Sequence, residues 1–278
     1  MSDALELVHV PAAAGTAGAV RPPVLLVHGA FAAAWCWEAT QAALAAAGWE
    51  SFALSLSGHG ASPGREQLHQ FTLCDYLQDI DWALERIGRV PILVGHSLGG
   101  YLLQRIAERM PVPGLALLAS VPPYGLAGSL TYMGTCYPGL LMELQRFAAG
   151  AMPEPDLRFV RELLFAPDTD EAHLGEFASR VQPESIQALS QLWMPQPWRL
   201  LPRVHDCPVL VMGAGSDRIL PFSDIWLTAQ AWGTRPVMIP EAGHALMCNT
   251  HFPEVMRQLL DWLQALPVAR GNNKEQER

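Results

Sequence analysis

The hexapeptide Gly95-His96-Ser97-Leu98-Gly99-Gly100 constrains this chain more than any other stretch. It stands between an apolar run that ends at Val94 and a helical segment that begins at Tyr101. A GxSxG string turns up by chance, but at a strand-to-helix junction it has mechanical content. The sharp turn strains the serine backbone and exposes its Oγ above the sheet edge. Glycines at 95 and 99 let strand and helix pass closely. The helix start aims backbone N–H groups at the same point. Ser97 is therefore the candidate nucleophile. The competing reading is a βα turn whose serine merely caps the helix.

The surrounding pattern favours the first reading. Apolar runs at 4–10, 24–29, 51–58, 91–95 and 115–120 alternate with helical periodicity at 35–47, 71–88 and 101–110. Continuous runs such as VLLVHG suit strands buried on both faces. Their alternation with helices predicts a mostly parallel sheet flanked by helices. The rhythm changes at Val121-Pro122-Pro123, after which 129–149, 156–166, 170–181 and 184–193 all read as helices. Alternation returns with apolar runs at 208–215 and 237–244 and helices at 222–232 and 252–265. The chain thus divides into a first core part (1–120), an all-helical insertion (121–202), a second core part (203–267) and a polar, frayed tail (268–278).

A serine becomes nucleophilic only beside a base that a third group orients. Asp217 lies just past the strand that ends at 212, and His244 just past the strand at 237–239. Both emerge at the carboxyl edge of the sheet, where Ser97 stands and where α/β ligands bind. His205 precedes its strand and His251 follows the loop, so both are weaker bases. Asp224 falls inside the next helix, and Glu241 is too near His244 to orient it. A charged intermediate also needs N–H donors. Leu98 supplies one, as the residue after the nucleophile. The loop after 24–28 supplies the other, at Ala30, with Phe31 the less favoured choice. His28 and His96 read as structural histidines.

Composition narrows the partners. The 278 residues carry a formal charge of −9, with 50% hydrophobic and only 16% charged residues. The sole lysine is Lys274, and the arginines are dispersed. Phosphate backbones call for a basic face, so nucleic acid is excluded. Five scattered cysteines without a CxxC pair point to free thiols in a reducing compartment. The start lacks a signal peptide's basic segment, and the broken apolar runs offer no membrane span. The expectation is a cytoplasmic protein, its oligomeric state open.

HGA at 28–30, GHGAS at 58–62, GHSLGG at 95–100, GSD at 215–217 and GH at 243–244 together resemble the α/β-hydrolase family, in particular its cofactor-free, serine esterase-like members. HGAFAAAWCW at 28–37 is similar to the first loop of plant-type methyl esterases and hydroxynitrile lyases. The resemblance implies an α/β-hydrolase fold with a helical lid inserted after the sixth strand, Ser97, Asp217 and His244 as catalytic residues, Ala30 and Leu98 as the oxyanion hole, and neither cofactor nor metal. The family often has Asp and Arg where Ser55 and Ser57 stand, which removes a polar pair that can brace the loop. Lyase-type members use a lysine that this chain lacks. Ser97 excludes relatives with an aspartate nucleophile. Phe31, Trp35, Tyr124, Tyr132, Met133, Phe165, Trp193 and Met247 are the possible pocket residues. The substrate expected is a small to medium apolar or aromatic ester or lactone. Hydrolysis of a β-diketone C–C bond, a thioester or an amide, perhydrolase chemistry and non-catalytic ligand binding remain open.

Overall fold

Every side chain of Val24–Val27, Ile92–His96 and Leu115–Leu118 is buried, as strands covered on both faces must be. The computed structural model describes residues 4–13, 21–151, 155–200 and 207–267. Its sheet has seven strands: β1 (Leu7–Val10), β2 (Val24–Val27), β3 (Ser51–Leu54), β4 (Ile92–His96), β5 (Leu115–Leu118), β6 (Val209–Ala214) and β7 (Pro236–Ile239), in the spatial order β1-β3-β2-β4-β5-β6-β7. Only the β1–β3 pair is antiparallel. The chain steps outward from β2 to β3 and returns on the other side as β4. That reversal opens a crevice between the loops that leave β2 and β4. Val27 pairs with Gly95 and His96 with Leu118, so these strands end level and their loops share one edge.

The core helices are α1 (Glu38–Ala46), α2 (Leu73–Ile87) and α3 (Ser97–Ala107). Thr72 and Asp75 form a reciprocal capping box at the start of α2. After β5 come α4 (Ala127–Cys136), α5 (Pro138–Ala148), α6 (Leu157–Leu164), α7 (Glu171–Arg180) and α8 (Ile186–Trp193). Asp156, Asp170 and Ser185 cap α6, α7 and α8 through their side-chain oxygens. The last two helices are α9 (Phe222–Ala231) and α10 (Phe252–Ala265). Among the described residues, no helix is long and apolar enough to cross a membrane.

Two expectations change. The helical insertion follows the fifth strand, not the sixth, because β1 alone precedes β2 among the described residues. The helix expected at 129–149 is two helices, broken at Tyr137 (φ −139°, ψ 54°) by Pro138. Proline lacks an N–H and drives the residue before it out of helical geometry. Met133, Phe147, Phe159, Leu163, Phe165 and Phe177 form a second apolar cluster in the insertion, which Ala245 of the core joins. The boundary at 202–203, His205, the tail 268–278 and most of the turn region 11–23 lie outside the described residues.

Candidate active site

Ser97 is the first residue of α3 and sits at φ +49°, a left-handed value that costs a non-glycine residue of order 1 kcal/mol or more. The surroundings enforce it. A Cβ on Gly95 would lie 2.7 Å from Gly100 N, and one on Gly99 would run into the Val27 and His28 carbonyls. Strand and helix can cross this tightly only with hydrogen at both positions. Ser97 is half-buried, and its carbonyl accepts from Val121 N–H at 3.0 Å.

Asp217 stands in the turn after β6 with its carboxylate fully engaged. Oδ1 accepts from Ile219 N–H at 2.8 Å and Leu220 N–H at 2.9 Å, while Oδ2 lies 2.7 Å from His244 Nδ1. Both side chains are buried. A carboxylate accepts, so Nδ1 carries the proton and a neutral His244 keeps Nε2 free to take another. The two loops are stitched together by Gly215 N–H to Ile239 O and Ser216 N–H to Ala242 O, at 2.9 and 2.8 Å. The competing acids are placed otherwise. Asp224 accepts from Tyr124 Oη at 2.8 Å and Ser129 Oγ at 2.5 Å, and Glu241 is exposed in a turn at φ +60°.

Two more histidines shape the edge. His96 Nε2 lies 3.0 Å from the His244 carbonyl, so it bears hydrogen; Nδ1 is buried without a partner among the described residues. Burial, followed by the neighbouring His244, pushes the His96 pKa well below the usual value and keeps the ring neutral. His28 Nε2 accepts from Leu56 N–H at 3.1 Å, so its Nδ1 carries the hydrogen and donates to Gly29 O at 2.7 Å. Burial, aided by His59, lowers its pKa to about 3.

The loop carrying Ser55 and Ser57 does not lack a brace. Ser55 Oγ accepts from Ala34 N–H at 2.9 Å and donates to Glu6 Oε2 at 2.5 Å; Ala61 N–H donates to the same oxygen at 2.9 Å. Ser57 donates through N–H and Oγ to Asp79 at 2.7 and 2.8 Å. Carboxylates from β1's approach and from α2 thus replace the expected pair.

A largely apolar cavity opens over Ser97. Ala30, Ser97 and His244 lie in its wall, together with Phe31, Met133, Trp193 and Met247 from the expected pocket set. Leu126, Leu130, Leu144, Leu163 and Val181 complete it from the insertion. Gln145 and Trp193 are exposed lining residues and mark its mouth. Four expected residues are engaged elsewhere. Trp35 lies under the Arg180 guanidinium, 4.7 Å from its ring centre, in a separate cleft. Tyr124 bonds Asp224, Tyr132 packs edge-on against Tyr137 at 5.6 Å, and Phe165 packs edge-on against Phe177 at 4.9 Å.

Sequence reasoning missed the polar seam between insertion and core. Glu184 Oε1 accepts from Tyr76 Oη at 2.6 Å and Ser185 N–H at 2.7 Å; its Oε2 faces His59 Nε2 at 3.2 Å, off hydrogen-bond alignment, with both side chains fully buried. His59 Nδ1 lies 3.1 Å from the Ser57 carbonyl, so both ring nitrogens face acceptors and the imidazolium is the matching form. Burial, the largest single influence, lowers the His59 pKa, but the Glu184 charge together with the polar contacts to Glu184 and the Ser57 carbonyl outweighs it and the net shift is upward. Burial would raise Glu184, yet His59 and the donated bonds bring it below the usual carboxylate value. Nothing local in the sequence signals a partner so distant along the chain.

A family model described as the alpha/beta hydrolase family matches residues 24–258. Probable esterase PIR7A of Oryza sativa subsp. indica is 32% identical over 139 residues, 47% of this chain and 52% of that protein. The match thus spans about half the length of that relative. Methyl jasmonate esterase 1 of Vitis vinifera is 29% identical over 181 residues, 62% of this chain and 65% of that protein. Among solved structures, the esterase EaEST from Exiguobacterium antarcticum superposes with a TM-score of 0.74 at 16% identity, covering 94% of this chain and 96% of that one; likeness at that identity speaks for the fold. The matched segment runs from β2 into α10 and contains Ser97, Asp217 and His244, and the chain belongs to the alpha/beta hydrolase family.

Proposed function

We propose that the chain is a serine esterase acting on small to medium apolar or aromatic acyl substrates through an acyl-enzyme. The observation that carries this reading is Ser97 and His244 in the wall of one apolar cavity, with Asp217 Oδ2 2.7 Å from His244 Nδ1. Asp217 holds His244 in the tautomer that leaves Nε2 basic. His244 takes the Ser97 proton as Oγ attacks the ester carbonyl, then gives it to the departing alkoxide. Water, deprotonated by the same nitrogen, releases the acid. Leu98 N–H and Ala30 N–H hold the oxyanion; each such donor contributes about 10²–10³-fold in rate. The insertion acts as the lid that roofs the acyl site, and the esterase names of the relatives support the bond type.

A series of p-nitrophenyl esters of graded acyl length tests the proposal. Wild-type protein hydrolyses them with a preference among chain lengths, and Ser97→Ala loses the activity while staying folded. Undiminished turnover by folded Ser97→Ala excludes the mechanism. Equal turnover of all lengths removes the selective acyl site.

A further inference from the structure

We propose that Gln182, near the start of the segment joining α7 to α8, is a positioning residue for the oxyanion donors; this rests on the esterase reading above. The loop after β2 that carries Ala30 is pinned on both sides of that residue. On one side, His28 Nδ1–H donates to the Gly29 carbonyl at 2.7 Å. The Gly29–Ala30 peptide is planar and trans, so fixing its C=O fixes the opposite direction of the Ala30 N–H. On the other side, Gln182 N–H donates to the Phe31 carbonyl at 3.0 Å. Phe31 sits at φ +68°, a conformation a bulky residue keeps only when its surroundings impose it. The insertion supplies both restraints on Phe31, the bond from Gln182 and the packing of Phe147 at 5.2 Å between ring centres.

Gln182 is itself held. Its Nε2 donates to Gly58 O at 2.9 Å, and its Oε1 accepts from Gly60 N–H at 3.1 Å and Arg65 Nη2 at 2.6 Å. Two residues on, Glu184 meets His59 of the same core loop. The loop after β3 therefore grips Gln182, and Gln182 grips the loop after β2. At this edge the insertion is part of the oxyanion apparatus and not a movable flap.

Two substitutions separate the backbone bond from the side-chain grip. Gln182→Ala removes the side chain and keeps the N–H. Gln182→Pro removes both, and Val181 at φ −69°, ψ 154° already has the extended geometry that precedes proline. The readouts are kcat and KM on a p-nitrophenyl ester, thermal unfolding, and affinity for an alkyl trifluoromethyl ketone, which adds to Ser97 Oγ and leaves an oxyanion in the donor site. Expected for Gln182→Pro are kcat and ketone affinity about tenfold or more below Gln182→Ala, with KM nearly unchanged. Wild-type kcat and ketone affinity in both variants, or a change in KM alone, overturns the inference while leaving the esterase reading standing; equal losses in the two variants at near-native melting temperature support it and assign the positioning to the side-chain grip. If Gln182→Pro does not fold, Gln182→Ala against wild type decides. A parallel loss of kcat and ketone affinity at near-native melting temperature supports the inference, and no loss overturns it. Wild type that forms no adduct at Ser97 overturns both.

Discussion

Replacing Glu184 by Gln should destabilise the protein in a pH-dependent way. The substitution keeps size and leaves a side-chain oxygen for Tyr76 Oη and Ser185 N–H, but removes the charge facing His59. In the wild type the folded His59 pKa lies above its ordinary 6.5, so its contribution is complete below that pH and is lost as the pH rises through the folded value. The folded Glu184 pKa lies below 4.5, so its contribution is complete above that pH and is lost as the pH falls through the folded value. The pair is thus fully effective between about 4.5 and 6.5. In the variant, His59 is a buried base without a counter-charge and must fold neutral. On the alkaline side, above the folded His59 value, the cost is that of a weakened buried polar contact, about 1–2 kcal/mol. Near pH 5.5 the variant must also strip a proton from His59, adding roughly 1.4 kcal/mol for one unit below the free value. In a chain of this size that extra term lowers the melting temperature by about a further 3–6 °C. Thermal unfolding of both proteins near pH 5.5 and on the alkaline side measures it. His28 and His96 are neutral in both folded proteins at these pH values and cancel in the difference, whereas Asp79, whose pKa the His59 charge helps to lower, adds to the acid-side cost. An equal melting-temperature loss at the two pH values would show that His59 is not charged in the folded state, and the reasoning fails.

Three further outcomes follow from the same contacts. Asp217→Asn keeps a group for Ile219 and Leu220 N–H but turns a donor toward His244 Nδ1, so kcat on an activated ester should fall about 10³–10⁴-fold; a loss under tenfold would refute the orienting role. Met133→Trp adds bulk to the buried cavity wall, so relative kcat/KM across the ester series should shift toward shorter acyl chains, and an unchanged profile would place the acyl group elsewhere. His28 and His96 fold neutral with lowered pKa values, so unfolding takes up two protons as the pH falls below 6.5. Their share of the stability loss is roughly 2.7 kcal/mol per pH unit, and denaturant titrations showing no acid-side decline would contradict their burial as neutral rings.

The parts of the site that sequence makes legible are those whose geometry is local. Ser97 lies between a buried strand and a helix, and Gly95 and Gly99 have no alternative to glycine there. Asp217 and His244 each follow a strand, so the sheet alone brings them to one edge. Pocket residues are less legible, because a residue's direction depends on how its helix rotates against the core. On α4 and its approach, Leu126, Leu130 and Met133 share one helical face and line the cavity, whereas Tyr132 lies off that face. Reading outward from Met133 at helical spacing would have found the leucines; choosing aromatic residues did not. The Glu184–His59 pair, the Gln182 bonds and the Glu6–Ser55 contact join segments far apart in the chain, and no local pattern encodes them.

The central claim is that Ser97 is the nucleophile, activated by His244. Mass spectrometry after treatment with a fluorophosphonate tests it most directly. The account predicts one covalent adduct, mapped to Ser97, that forms in wild type, forms far more slowly in His244→Ala and is absent from folded Ser97→Ala. Wild-type protein that forms no adduct at Ser97, or labelling that persists undiminished in Ser97→Ala, would contradict it.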